Sequence, residues 1–129
     1  MTEGNLINEK ALAFAERIYK LSAYLKEKKE YSLADQVLRS GCSIGANLAE
    51  CIFSESTDDY IHKLSIARKE GSETSFWLRL QHKVGLLDDK LYHSLKSDCE
   101  ELQKMMSATM RTLKQKKEQD NKSDLQDNI

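Results

Sequence analysis

The chain has 129 residues and a mass of 14.8 kDa, with 40% hydrophobic and 32% charged residues, five glycines and no proline. A chain of this length supports one domain with one core. Because helix interiors exclude proline whereas turn-rich β folds use it freely, the composition favours long helices joined by short connections. The 20 basic and 21 acidic residues leave a net charge of −1, which disfavours the basic excess typical of bulk nucleic-acid binders.

The cysteines and the N-terminal segment indicate the compartment. Cys42, Cys51 and Cys99 are odd in number and widely spaced, whereas a secreted disulfide framework needs an even set. The segment MTEGNLINEK lacks the basic patch and apolar run of a signal peptide. No stretch approaches the roughly 18 apolar residues that span a bilayer. We therefore expect a soluble, cytoplasmic protein that makes no membrane contact.

Apolar residues recur at helical spacing along the first half of the chain. A first helix is predicted from about Asn8 to Lys29, with one apolar face formed by Phe14, Ile18, Leu21 and Leu25. A second helix is predicted from about Ser32 to Phe53, with an apolar stripe formed by Leu33, Val37, Gly41, Ile44, Leu48 and Ile52. Gly41 and Gly45 each lower helix propensity, and we expect them to allow close approach of a neighbouring backbone.

The second half of the chain predicts two further helices. The third begins near SESTDD, where Ser56 or Thr57 can cap it, and ends near Val84, with Gly85 as the terminating residue. The fourth begins at Asp88 or Asp89, and its apolar face ends near Leu113. The pattern predicts an all-α, up-down-up-down four-helix bundle as a single domain over residues 1–113. A polar, disordered tail is predicted over residues 114–129.

Polar residues in the second and third helices form the most unusual pattern. Beside the apolar stripe of the second helix runs a polar one, and on the third helix two carboxylates interrupt an apolar seam. Since a buried carboxylate is costly unless it is paired, we predict that Glu73 or Glu70 pairs with Arg39. Such a network fixes register and partner choice more than it adds stability. We predict a structural or interface network formed by Gln36, Arg39, Ser43, Asn47, Glu50, Glu70 and Glu73.

Catalytic and metal-binding patterns are weak in this sequence. Among the three histidines, only Asp59-x-x-His62 approximates the carboxylate–histidine spacing of a di-metal bundle. The cysteines lie inside predicted helices with no histidine nearby in sequence to lower a thiol pKa. Neither a Walker A loop nor a G-x-G-x-x-G motif occurs. We predict no catalytic residue, metal, cofactor or small-molecule substrate, and therefore no enzyme.

Basic residues on two of the helices leave an alternative open. In a chain that is nearly neutral, scattered lysines and arginines are usually ordinary solvated charges. Folding or assembly could nevertheless gather them on one surface. The candidate nucleic-acid contacts are Arg17 and Lys20 on the first helix and Arg68, Lys69, Arg79 and Lys83 on the third.

Two segments resemble a known family. These are LADQVLRSGCSIGANLAE (33–50), with the R-S-x-x-S-I-x-A-N-x-x-E core at residues 39–50, and YIHKLSIARKEGSETSFWLRL (60–80). They resemble the bacterial four-helix-bundle family that is encoded in intervening sequences of large-subunit ribosomal RNA genes. Its relatives include accessory proteins of diversity-generating retroelements. The resemblance implies a bundle that assembles as a ring-like homopentamer, and it implies no settled biochemical activity.

Two functional hypotheses follow. The first is a non-enzymatic, homo-oligomeric scaffold or interaction protein, pentameric by resemblance, whose polar network fixes the assembly. The second is an RNA- or DNA-binding accessory protein associated with ribosomal RNA or a reverse transcriptase. The retroelement relatives resemble basic partners of nucleic acid, whereas this chain is slightly acidic.

Overall fold

Four α-helices account for nearly all of the chain in a computed structural model, which describes residues 3–128. They are α1 (Glu3–Glu27), α2 (Tyr31–Cys51), α3 (Thr57–Lys83) and α4 (Asp89–Asp127). Each helix packs antiparallel against the next, and α4 returns against α1, so that α1 and α3 lie diagonally opposite each other. The predicted all-α four-helix bundle is confirmed.

The core is formed by one face of each helix. Its largest fully buried apolar side chains lie at successive levels along the bundle axis and come from all four helices: Phe14, Ile18, Leu25, Ile44, Leu64, Leu78, Leu95, Leu102 and Met106. Burying a side chain of this size contributes roughly 1.5–3 kcal/mol relative to leaving it in water. Among residues 6–128, whose burial the structure describes, every buried one lies between Ile7 and Met110.

Side-chain caps begin α3 and α4. The Ser56 hydroxyl accepts a hydrogen bond from the Asp59 backbone N–H at 3.0 Å. The Asp88 carboxylate accepts one from the Leu91 N–H at 2.7 Å. Both interactions satisfy a backbone donor that has no partner inside its helix.

The turns after α1 and α3 share one geometry with different residues. After α3, Gly85 adopts a φ of +83°, while the Leu86 N–H bonds back to the Gln81 carbonyl at 2.9 Å. After α1, Lys29 takes the same role at a φ of +62°, and the Glu30 N–H bonds back to the Leu25 carbonyl at 2.9 Å. Both turns therefore have the Schellman pattern, in which a left-handed residue follows the helix.

The predicted disordered tail is wrong over its described part. The chain continues as helix to Asp127, and only Ile129 of the predicted tail lies outside the described residues. Residues 114–127 contain neither glycine nor proline and are rich in lysine and glutamine, which favour helix. One ion pair, between Lys117 Nζ and Asp58 Oδ1 at 2.6 Å, ties this extension to the start of α3. The rest of the extension is exposed and packs on no other helix.

Candidate functional site

The centre of the candidate site is an ion-pair cluster on the outer surface between α2 and α3. Arg39 of α2 donates from Nη1 to Glu70 Oε2 at 3.1 Å and from Nη2 to Glu73 Oε2. The two acids are three residues apart and therefore share one face of α3. The hydrogen bond to Glu73 is the main cause that raises the pKa of Arg39 above its ordinary value. The guanidinium thus joins two consecutive carboxylates of the neighbouring helix.

This cluster is less buried than the sequence predicted. The side chains of Arg39, Glu70 and Glu73 are 49%, 22% and 36% exposed. In the isolated chain, water still screens the charges, so each pair contributes at most about 1 kcal/mol to folding. The pairing would become obligatory only if these three side chains were desolvated, which requires another protein surface to cover them.

The remaining predicted network residues do not reach the two carboxylates. The Ser43 hydroxyl donates to the Arg39 carbonyl at 2.6 Å, and the Asn47 amide donates to the Ser43 carbonyl at 2.8 Å. Both bonds run back along α2, as short polar side chains commonly do in helices. Gln36 and Glu50 are exposed. The structure brings Arg39, Glu70 and Glu73 together, and their role as an interface stays a prediction.

Large apolar side chains are exposed at two further places along α2 and α3. Phe53, just after α2, is 80% exposed, and its neighbour Ile52 is also exposed. On α3, Phe76 is exposed and packs edge-on against the half-buried Trp77, with ring centroids 5.1 Å apart. We call the surface formed by the ion-pair cluster and these four residues the α2–α3 seam. Exposed apolar groups beside paired charges are typical of protein–protein contact surfaces.

Sequence reasoning missed the buried polar contacts beneath the seam. The Thr74 hydroxyl is fully buried; it is 2.9 Å from Ser40 Oγ and donates to the Glu70 carbonyl at 2.8 Å. Two turns further along α3, the side chain of Gln81 is also fully buried, and neither of its amide atoms has a partner within residues 3–128. Ser40 and Thr74 are at core-facing positions of the helical pattern. A hydroxyl at such a position is the sequence feature that could have predicted a buried hydrogen bond.

The six candidate nucleic-acid contacts do not form one surface. Arg17 is paired with Asp98 of α4 at 2.6 Å, and Lys20 is exposed on the same side of the bundle. Arg68 and Lys69 line a groove between α3 and α4. Arg79 and Lys83 are exposed further along α3. Four of the six are on α3, and none of those four forms an ion pair with a described residue.

The cysteines are poor nucleophiles. Burial raises the pKa of the Cys99 thiol to about 11, and burial also raises the pKa of Cys42 and of Cys51. A thiol with a raised pKa contains little of the reactive thiolate near neutral pH.

Residues 3–128 contain neither a cluster of metal ligands nor a helix that spans a membrane. Across residues 3–128, no three histidine, cysteine or acidic side chains are grouped so that they could hold a metal ion. The helices of this same part of the chain include none that is long and apolar enough to cross a bilayer.

Comparisons with known proteins agree with the fold. The family model of the 23S rRNA-intervening sequence protein matches residues 3–108. A crystal structure from Bacteroides thetaiotaomicron, of a protein with unknown function from the S23 ribosomal protein family, is 38% identical. The match covers 85% of this chain and 99% of that one, with a TM-score of 0.83. None of the curated proteins searched matches the chain. Since the family model spans four-fifths of the sequence, the chain belongs to the 23S rRNA-intervening sequence protein family.

Proposed function

We propose that the protein is a non-enzymatic scaffold whose copies associate with one another in a closed ring. The observation that carries this proposal is the exposure of large apolar side chains on two different faces of one small bundle. Monomeric proteins rarely expose large contiguous apolar patches, whereas a self-associating protein covers such surfaces with a second copy.

The first of these faces is the α2–α3 seam. Phe76 and Trp77 are at the level of the Arg39 cluster, since the Ser40–Thr74 contact sets an antiparallel register between α2 and α3. Ile52 and Phe53 are roughly 20 Å further along the seam, at the other end of α2. Covering the seam would desolvate the bridge between Arg39 and its two acids. In this dry environment the pairing strengthens and fixes the orientation of the incoming copy.

The second face is the outer surface of α1. Leu12 is 72% exposed and Tyr19 is also largely exposed. They are seven residues apart, so both point outward from the same side of the helix. We call this pair the α1 face. Because α1 is diagonally opposite α3, the α1 face and the α3 residues of the seam are on helices that do not contact each other.

Two unlike faces on one chain favour head-to-tail association. When the seam of one copy meets the α1 face of the next, the copies form a row with an uncovered seam at one end and an uncovered α1 face at the other. These two faces are covered only when the row closes into a ring. The family resemblance implies five copies in that ring.

Two double variants test this arrangement. Leu12→Ser with Tyr19→Ser disables the α1 face, and Phe53→Ser with Phe76→Ser disables the seam. Leu125→Ser, at an exposed apolar residue near the end of α4, is the matched control and should assemble as the parent does. We expect each double variant alone to be monomeric by native mass spectrometry.

Mixing the two double variants separates the possible geometries. The intact seam of one and the intact α1 face of the other should give a 1:1 heterodimer that grows no further. If the contact were instead seam to seam, the α1-face variant would dimerise alone. A parent protein that stays monomeric at all concentrations would refute the scaffold proposal.

Nucleic-acid binding is the second candidate function, and the unpaired basic residues of α3 favour it. Arg68, Lys69, Arg79 and Lys83 have no acidic partner among the described residues, so α3 contains four unneutralised cations despite the net charge of −1. Binding to single-stranded RNA or DNA should then weaken steeply as salt rises, because counterions are released. Failure to bind at low salt would exclude this candidate while leaving the scaffold proposal intact.

A further inference from the structure

A polar groove crosses the surface between α3 and α4, on the side of α3 that faces away from α2. Its volume is about 320 Å³, near the lower end of the range for ligand sites. All of its lining side chains can donate a hydrogen bond, two carry a positive charge and none is acidic: Ser65, Arg68, Lys69, Ser72, Gln103 and Ser107. The chemistry of this lining suits a small, negatively charged group.

The two cations of the groove are not neutralised by the protein. Within the described chain, neither Arg68 nor Lys69 has a carboxylate at ion-pair distance, although other surface cations of the bundle do. One example is Lys63, which is two residues from Ser65 on α3 and 3.2 Å from Asp59 Oδ2. The groove therefore contains two positive charges whose counter-charge must come from outside the chain.

The walls of the groove are held in place by Gln103. Its Nε2 donates to the Arg68 carbonyl at 3.0 Å and to Ser72 Oγ at 3.4 Å. The amide fits against α3 only because residue 71 is glycine: a Cβ at Gly71 would be 2.6–2.7 Å from the amide atoms of Gln103. The spacing of α3 and α4 at this level is thus fixed before any ligand arrives, which lowers the entropic cost of binding.

We infer that this groove binds a phosphate group. A guanidinium forms paired hydrogen bonds with phosphate oxygens, an ammonium adds a point charge, and hydroxyls donate to the remaining oxygens. The positive lining disfavours a metal cation, and its polarity disfavours an apolar ligand. The inference deepens the second candidate function and rests on it where the phosphate belongs to a nucleic acid. The same chemistry would take a free phosphate or pyrophosphate.

Titration calorimetry at low salt distinguishes these sources. Inorganic pyrophosphate probes the free anion, a short oligonucleotide probes the phosphodiester, and citrate probes a carboxylate ligand. The groove variant is Arg68→Gln with Lys69→Gln. Its matched control is Lys114→Gln with Lys116→Gln, which removes the same net charge from exposed positions of α4 outside the groove and outside the candidate contacts. We expect the groove variant to lose at least tenfold in affinity for pyrophosphate, for the oligonucleotide or for both, and the control to lose less than threefold.

Each other result contradicts the inference in a distinct way. Equal losses in the two variants would show diffuse charge attraction, which removes the groove but leaves nucleic-acid binding standing. Citrate binding as tight as pyrophosphate binding would make the site a general anion site. No binding of any probe would overturn the inference and the second candidate together. A readout that needs no variant is the NMR shift of the Ser72, Gln103 and Ser107 amides on adding pyrophosphate, and unchanged shifts would contradict the site.

Discussion

Polar groups lie at the contacts of α3 with both of its neighbouring helices, but they are paired differently on the two sides. Toward α2, Thr74 is hydrogen-bonded to Ser40, and Glu70 and Glu73 are paired with Arg39. Toward α4, the contact is made by a glycine and a glutamine amide, and the neighbouring cations have no acidic partner. Matched groups fix how the two helices align. Toward α4, the unpaired cations can bind a negatively charged ligand. The two sides of α3 therefore support different proposed functions.

The largest expected stability effect is on the α2 side. Thr74→Val keeps the shape of the side chain and removes its hydroxyl, which leaves Ser40 Oγ with only a 3.4 Å contact to the Val37 carbonyl. We expect the free energy of unfolding to fall by about 1–3 kcal/mol, measured by urea denaturation at fixed protein concentration. Thr112→Val is the matched control, because that hydroxyl is exposed, and it should change stability by less than about 0.5 kcal/mol. Equal losses of stability in Thr74→Val and Thr112→Val would show that the buried Thr74–Ser40 contact does not stabilise the fold.

Gln81 provides a contrast with Thr74, because it is on the same face of α3 and its side-chain amide has no hydrogen-bond partner among the described residues. Replacing it with leucine removes two unsatisfied buried groups at nearly constant volume. We expect Gln81→Leu to raise the unfolding free energy by about 1–3 kcal/mol. Gln103→Leu on the α4 side removes an amide whose donor is used, and it should give no gain. A loss of stability in Gln81→Leu would show that its amide is satisfied in solution.

Gly41 and Gly71 both lie at close helix contacts, but the side chains that face them differ in how easily they can move. A Cβ at Gly41 would be 2.8–2.9 Å from the branched, fully buried Ile18, whereas at Gly71 it would meet only the flexible end of Gln103. We expect Gly41→Ala to lower the melting temperature, since overpacking costs about 1–3 kcal/mol. Gly71→Ala should change stability by less than about 1 kcal/mol, because helix propensity offsets the lost amide contact. It should nevertheless abolish pyrophosphate binding in calorimetry; retained binding would contradict the described groove.

The smallest stability effect is expected at the surface ion pair. Glu73→Gln keeps the size of the side chain and removes one charge beside Arg39. Because the pair is partly exposed, the unfolding free energy should fall by less than about 1 kcal/mol. Assembly should suffer more, because the pair is desolvated when a second copy covers the seam. A sedimentation measurement that shows an unchanged oligomer would separate this pair from the association surface.

The helices and most of their ends could be predicted from the sequence because local rules govern them. Apolar spacing predicted all four helices, and Ser56, Gly85 and Asp88 are residue types that cap or end helices. Lys29 could not be predicted as a left-handed residue, because lysine has no preference for a positive φ. The tail was misjudged because the absence of apolar periodicity says little about helix propensity.

The candidate sites were less predictable, because they depend on which helices meet. Opposite charges at helical spacing indicated that Arg39 would pair with Glu70 or Glu73, and the structure contains both pairs. How far they are exposed depends on the position of α3 beside α2, which one-dimensional spacing does not contain. The groove joins Arg68 with Gln103, which are 35 residues apart in the chain, and no local motif links these positions.

The proposed ring is tested by native mass spectrometry of the protein purified without nuclease treatment. We expect one closed assembly of identical 14.8 kDa chains, with the five copies that the family resemblance implies. Additional nucleic-acid mass on that assembly would support the α3–α4 groove as well. A monomer at every concentration would contradict the claim that the α2–α3 seam and the α1 face exist to bind each other.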